Sequence, residues 1–190
     1  MNEMQPAERQ IIIIFNGVGS SGKSSTARAL QEIASVPLLH FAMDSFLDML
    51  PERLFDHPDG VVFKRSQIDG SPAISIEVGI VCRRLLSGMR QSVVAMAQRG
   101  NSLVVDDVML GNEANEYRAL LKGYCVRFVR FNAPLDVLEE RERLRGDREI
   151  GLARGQYDLI RRGHGYDLEV DARANTPMQI AQQIREAFGL

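Results

Sequence analysis

The stretch Gly17-Val18-Gly19-Ser20-Ser21-Gly22-Lys23-Ser24 fits the pattern G-x-x-x-x-G-K-[ST], and no other feature constrains this chain as strongly. It is entered from Ile11 to Phe15, a β-branched apolar run of the kind that forms a central parallel strand covered on both faces. From Lys23 onward the apolar residues Ala27, Leu30, Ile33 and Ala34 take helical spacing. A glycine-rich turn in that setting curls so that successive backbone N–H groups point inward, and the dipole of the following helix adds positive potential. Such a turn binds phosphate. Lys23 is then placed to reach β- and γ-phosphates, and the Ser24 hydroxyl to bind Mg²⁺. The expected nucleotide contacts are Gly17, Val18, Gly19, Ser20, Ser21, Gly22, Lys23, Ser24 and Ser25. A chance glycine-rich turn is the alternative, and the strand and helix that flank the motif argue against it.

The rest of the chain repeats the alternation of strand and helix. Pro37 ends the first helix, and Leu38 to Met43 reads as a second strand that finishes at Asp44. Residues 51–74 carry Pro51, Pro58, Gly60, Gly70 and Pro72 and no sustained periodicity, so they read as loops with a short helix before them. Val78 through Met96 is a long amphipathic helix, Ser102 to Val105 a strand, and Glu113 to Leu121 a helix. Val126 to Phe131 is a further strand, with Pro134 opening a helix after it. Leu168 to Val170 is a candidate fifth strand, and Thr176-Pro177-Met178-Gln179 has the spacing of a capping box. With no hairpin signal read between these strands, the expected architecture is α/β. It is a three-layer P-loop NTPase fold, with a parallel sheet of about five strands flanked by helices, in a single domain over residues 1–190.

Charge and composition exclude several classes. A formal charge of -2 leaves no positive field for nucleic acid. Cys82 and Cys125 stand apart from each other and from histidine, which fits neither a redox pair nor a zinc site and suits a reducing cytoplasm. The apolar run at residues 11–15 is far too short to span a membrane, and the N-terminal ten residues lack the layout of a secretory signal. His40, His57 and His164 are scattered, and core or surface roles are expected of them. No feature indicates an oligomer.

The acids and arginines carry the remaining chemistry. Asp106 follows a β-forming run, where a carboxylate beside a phosphate loop holds Mg²⁺. Its neighbour Asp107 either shares that role or caps the next element. Asp44 lies where strand ends line the ligand crevice, and it suits either a general base or the N-cap of a helix starting at Phe46. Met43 and Phe46 flank it, as core or as walls of an apolar acceptor site. Arg141, Arg143, Arg145 and Arg148 alternate with acids, as on a solvated helix face or as on a lid. Glycines between 146 and 165 would hinge such a lid over residues 143–165.

In order along the chain, FNGVGSSGKSS, FAMDSF, LVVDDVMLG, RLRGDRE and YDLEVD resemble segments of the chloramphenicol phosphotransferase family. The resemblance implies ATP and Mg²⁺ as cofactors and a small-molecule hydroxyl as acceptor, chloramphenicol being one candidate. It also implies Asp44 as the base that deprotonates that hydroxyl, and Lys23, Arg141, Arg145 and Arg148 as catalytic groups. Ser24, Asp106 and Asp107 are the expected metal ligands. Two alternatives remain, a nucleotide-binding protein or slow NTPase that transfers nothing, and a kinase for another small metabolite such as shikimate or gluconate.

Overall fold

The computed structural model describes residues 10–146, 149–160 and 165–190. Its centre is a five-stranded parallel sheet, built from β1 (Ile11–Asn16), β2 (Leu38–Ala42), β5 (Ser102–Asp107), β6 (Cys125–Asn132) and β7 (Leu168–Asp171). The spatial order is β2-β5-β1-β6-β7. The uninterrupted apolar run of β1 is explained by this order, because β1 pairs with β5 on one side and β6 on the other and is covered on both faces.

Period-two alternation sorts its side chains between two layers. Ile13 and Phe15, with Val104 of β5, pack under α1 (Lys23–Ile33) and the C-terminal α7 (Pro177–Phe188). Ile12 and Ile14, with Leu103 and Val105, pack under α3 (Ile80–Gln98) and α4 (Glu113–Leu120). Each such fully buried side chain contributes about 1.5–3 kcal/mol. Truncating Ile13 to alanine would cost about 2–5 kcal/mol. The capping box of α7 forms as its spacing predicts: Gln179 N–H donates to Thr176 Oγ1 at 3.3 Å, and Thr176 N–H donates to Gln179 Oε1 at 2.8 Å.

Two expectations are corrected. Residues 61–78 are not loop and helix start but an antiparallel hairpin, β3 (Val61–Ile68) and β4 (Ser71–Val78). Its two-residue turn is Asp69-Gly70, both with positive φ (51° and 75°), the backbone that a right-twisted hairpin prefers. The Asp-Gly pair is itself a hairpin signal in the sequence. It was obscured because residues 64–69 point almost wholly to solvent, so the flanking alternation is weak. Second, β2 stops at Ala42, and Asp44 sits in the first turn of the short α2 (Met43–Leu47). The N-cap is Ala42, with no side-chain cap, so the Asp44 carboxylate is not used as a helix cap. A short 3-10 turn, Glu52–Leu54, joins α2 to the hairpin.

The arginine-rich segment forms α5 (Leu135–Arg145) and α6 (Leu152–Ile160). It is not a purely solvated face. Glu142 is fully buried, and its carboxylate accepts from Gly151 N–H at 2.8 Å and Ala153 N–H at 2.9 Å, closing the free amides at the start of α6. Arg148 and part of the expected lid, residues 161–164, lie outside the described residues, as does the N-terminal stretch 1–9. No described helix is long and apolar enough to cross a membrane.

Candidate active site

The loop between β1 and α1 opens at the carboxyl edge of the sheet. Gly22 at the N-cap of α1 has φ 92°, a left-handed turn that L side chains rarely adopt, and it swings the chain from the loop into the helix. Lys23 folds back over the loop, and its Nζ donates to Gly17 O at 2.7 Å and to Val18 O at 3.2 Å. Those contacts hold the ammonium above the curled backbone. The hydroxyls of Ser20 and Ser21 are buried in this loop and make no hydrogen bond to any described residue. Buried polar atoms of this kind call for a partner, and a phosphate-sized anion supplies one.

Asp106 comes to the loop from β5. Ser24 Oγ donates to Asp106 Oδ2 at 2.5 Å, and Lys23 Nζ lies 3.9 Å from Asp106 Oδ1. His40 of β2 places Nε2 3.7 Å from Asp106 Oδ2, too long for a hydrogen bond but close enough to bear on its charge. Burial alone would push the Asp106 carboxyl up, yet His40, Lys23 and Ser24 together outweigh it and hold the carboxyl below the usual carboxylate range. Ser24 and Asp106 are hard oxygen donors, a set that suits Mg²⁺, which binds through one or two protein oxygens and takes water and phosphate oxygens for the rest. Among the described residues no group of three or more His, Cys, Asp or Glu forms a metal cluster, so no all-protein cage competes with this arrangement.

Asp107, expected beside Asp106 as a second metal ligand, is not brought to the loop. Adjacent strand residues point to opposite faces, and Asp107 follows Val105 into the layer under α3 and α4. There its Oδ2 accepts from Tyr117 OH at 2.9 Å and its Oδ1 from Val108 N–H at 2.7 Å, with Arg90 Nη2 at 4.0 Å. Complete burial pushes its carboxyl up, although Arg90 opposes that shift.

Asp44 shares one cleft with the loop. Gly19 to Ser25, Asp44, Met43, Asp106, Val108 and Arg145 line it together. Asp44 is solvent-exposed within that cleft. An adjoining groove of about 440 Å³ runs from Ser25 and Thr26 past Arg141 and Arg145 to Asn175 and Pro177. Arg141 is fixed at its wall, donating from Nη2 to Ala172 O at 2.7 Å. The structure thus brings together the loop, Lys23, Ser24, Asp106, Asp44 and Arg145, places Arg141 next door and turns Asp107 away. Sequence reasoning missed His40 and Gln156. Strand parity was the available signal for His40, since it lies two residues from the buried Leu38 on the same face of β2. Gln156 gave no signal, because it reaches the loop only through the fold.

A parallel sheet ordered 2-5-1-6-7, with this loop leaving its central strand, defines a protein of the P-loop kinase fold. The family described as "Chloramphenicol phosphotransferase-like protein" matches residues 10–189, and the chain belongs to that family and thereby to the phosphotransferases. Among curated proteins it is 25% identical over 183 residues to "Putative O-phosphotransferase Rv2636" of Mycobacterium tuberculosis (strain H37Rv), covering 93% of this chain and 81% of that one. Among solved structures it resembles the Mycobacterium tuberculosis APS kinase CysC in complex with AMPPNP and APS (TM-score 0.67, 16% identity, 96% of this chain and 99% of that one). It also resembles a sugar kinase from Janibacter sp. (TM-score 0.64, 18% identity, 95% of each chain). The Deinococcus radiodurans tunicamycin resistance protein is similar as well (TM-score 0.63, 19% identity, 96% and 97%). At these identities the structural likenesses show the fold.

Proposed function

We propose that this protein transfers the γ-phosphoryl group of ATP to a hydroxyl of a small molecule. The observation that carries this reading is the shared cleft, in which the Asp44 carboxylate faces the same space as the phosphate loop and Asp106. In a nucleotide-binding protein with no acceptor, nothing would require an exposed acid at that place.

The loop amides and Lys23 bind the phosphates, while the groove beside Arg141 and Arg145 receives the base and ribose. Ser24 and Asp106 hold Mg²⁺, which when bound neutralises charge on the phosphate oxygens. Asp44 accepts the proton of the acceptor hydroxyl as its oxygen bonds to the γ-phosphorus and the bond to the bridging oxygen breaks, leaving ADP. Arg145, at the cleft wall, adds positive charge over the transferring group, while the part expected of Arg148 falls outside the described residues. Met43 and Val108 are the apolar members of a lining that is otherwise mainly polar.

Chloramphenicol heads the panel of acceptors to test, followed by other hydroxylated antibiotics and neutral metabolites. Purified protein with ATP and Mg²⁺ should raise the mass of one acceptor by a phosphoryl group. Asp44→Asn should lower that turnover by about 10²–10⁴-fold with ATP affinity nearly intact. ATP binding without any phosphorylated product across the panel, or full turnover in the variant, would sink the reading.

A further inference from the structure

Helix α6 meets the phosphate loop in two ways: Ala153 and Ile160 share an apolar cluster with Val18, and Gln156 alone makes a hydrogen bond to the loop backbone among the described residues. Gln156, 7% exposed, accepts a hydrogen bond through Oε1 from Gly19 N–H at 3.2 Å. Only the amide oxygen can accept, so the orientation of the side chain is fixed by the bond. The seating of α6 is equally specific. Its first amides are closed by the buried Glu142, and Ile74 N–H of β4 donates to Gly151 O at 2.9 Å. A Cβ on Gly155 would stand 1.9 Å from Ile74 O, so the helix lies directly on the hairpin backbone at this point. One continuous path therefore runs from the β3–β4 hairpin through α6 and Gln156 to the third residue of the loop.

A buried N–H in a curled loop must find an acceptor, and the one it finds sets the direction of the peptide. We propose that Gln156 is a positioning residue of the phosphate loop, and that through it the loop's curl depends on how α6 is seated on the hairpin. The inference rests on the reading of this loop as a nucleotide site. Gln156 touches the loop backbone from behind and acts through Gly19.

The test uses the full chain, with ADP and Mg²⁺ as the probe. Gln156→Met keeps the length of the side chain and removes the acceptor. It should weaken ADP binding about tenfold, the effect of one lost buried hydrogen bond, and speed hydrogen exchange at the Gly19 amide. Gln156→Glu keeps an acceptor oxygen and should preserve slow exchange at Gly19, a rescue that a merely space-filling role would not produce. Should Gln156→Met fold poorly, Gln156→Asn, one carbon too short to reach, is expected to show the same loss and the same fast exchange. Gly155→Ala leaves Gln156 in place but lifts α6 from Ile74, and it should weaken ADP in the same direction. Binding within twofold of wild type in Gln156→Met or Gln156→Asn, or unchanged Gly19 exchange, would overturn the role of Gln156. Wild-type affinity in Gly155→Ala would overturn the dependence on the hairpin. Failure of the wild-type protein to bind ADP would remove the nucleotide reading instead, while Gly19 exchange would still report on the bond.

Discussion

Asp106 and Asp107 are consecutive in β5 yet belong to different sites: Ser24 Oγ lies 2.5 Å from the first carboxylate, and Tyr117 OH lies 2.9 Å from the second. Strand alternation separates them, and their surroundings then push their acidities in opposite directions. The pair is a direct test of which acid serves the nucleotide. Asp106→Asn should weaken Mg²⁺-dependent nucleotide binding and cut turnover by about tenfold or more, while the variant remains folded at neutral pH. Asp107→Ala leaves Tyr117 OH and Val108 N–H without their acceptor, at a cost of about 2–4 kcal/mol of stability. Its remaining folded fraction should bind nucleotide as wild type does. Calorimetric affinity beside a urea melt separates the two outcomes, and a reversed pattern would return Asp107 to the metal site.

The acid limb of stability follows from the same contrast. The Asp106 carboxyl is held below its ordinary 3.8 in the folded chain, after burial is outweighed by His40, Lys23 and Ser24. A depressed acid contributes stability that is fully present above the unfolded value and is lost as pH falls through the folded one. Urea midpoints of wild type and Asp106→Asn should therefore differ by a constant amount above about pH 5 and converge below about pH 4. His40→Phe keeps the ring volume and removes the nearest imidazole, which raises the folded-state value toward the unfolded one, so in that background the midpoint difference should be smaller and its loss complete at a higher pH. A difference that grows on acidification would refute the assignment.

How much of this was legible before folding depended on whether a residue's role is local. The phosphate loop, the five parallel strands and the capping box at Thr176 are written in contiguous stretches, and they form as those stretches predict. Asp44 lines the cleft with the loop because a strand end and a helix start coincide there, the helix beginning at Met43 rather than at Phe46. The hairpin was lost because outward-facing residues 64–69 hide the alternation, even with Asp69-Gly70 in plain view. Asp107 lies away from the loop because neighbours along a strand face opposite sides of the sheet. Gln156 and Glu142 were beyond reach altogether. Both act on backbone amides that tertiary packing delivers, and in sequence Glu142 looks like any acid in a charged run.

Turnover should also respond to Arg145, which lines the cleft with the loop and Asp44, and less to Arg141, which is fixed to Ala172 O at 2.7 Å in the adjoining groove. Arg145→Met removes charge while keeping the stem, so it should lower kcat more than it raises KM for ATP. Arg141→Met should raise KM for ATP with a smaller effect on kcat, as expected for a group that binds substrate and transition state alike. Steady-state kinetics on the two variants decide it, and equal effects on both constants in both proteins would deny the division.

Glu142 offers the sharpest test of whether the segment after α5 is built or merely solvated. Its carboxylate is 1% exposed and accepts from Gly151 and Ala153 N–H at 2.8 and 2.9 Å, replacing the water that the first turn of α6 would otherwise bind. Glu142→Ala strands both donors in a buried place, and each costs about 1–3 kcal/mol. Glu142→Gln keeps one acceptor oxygen and loses the charge, so it should fall between. Hydrogen exchange at Gly151 and Ala153 should quicken in that order, and limited proteolysis should cut the chain near residues 149–152 in the alanine variant first. Because α6 carries Gln156, ADP affinity should decline along the same series, and a series in which exchange quickens while affinity stays level would show that α6 can loosen without disturbing the loop.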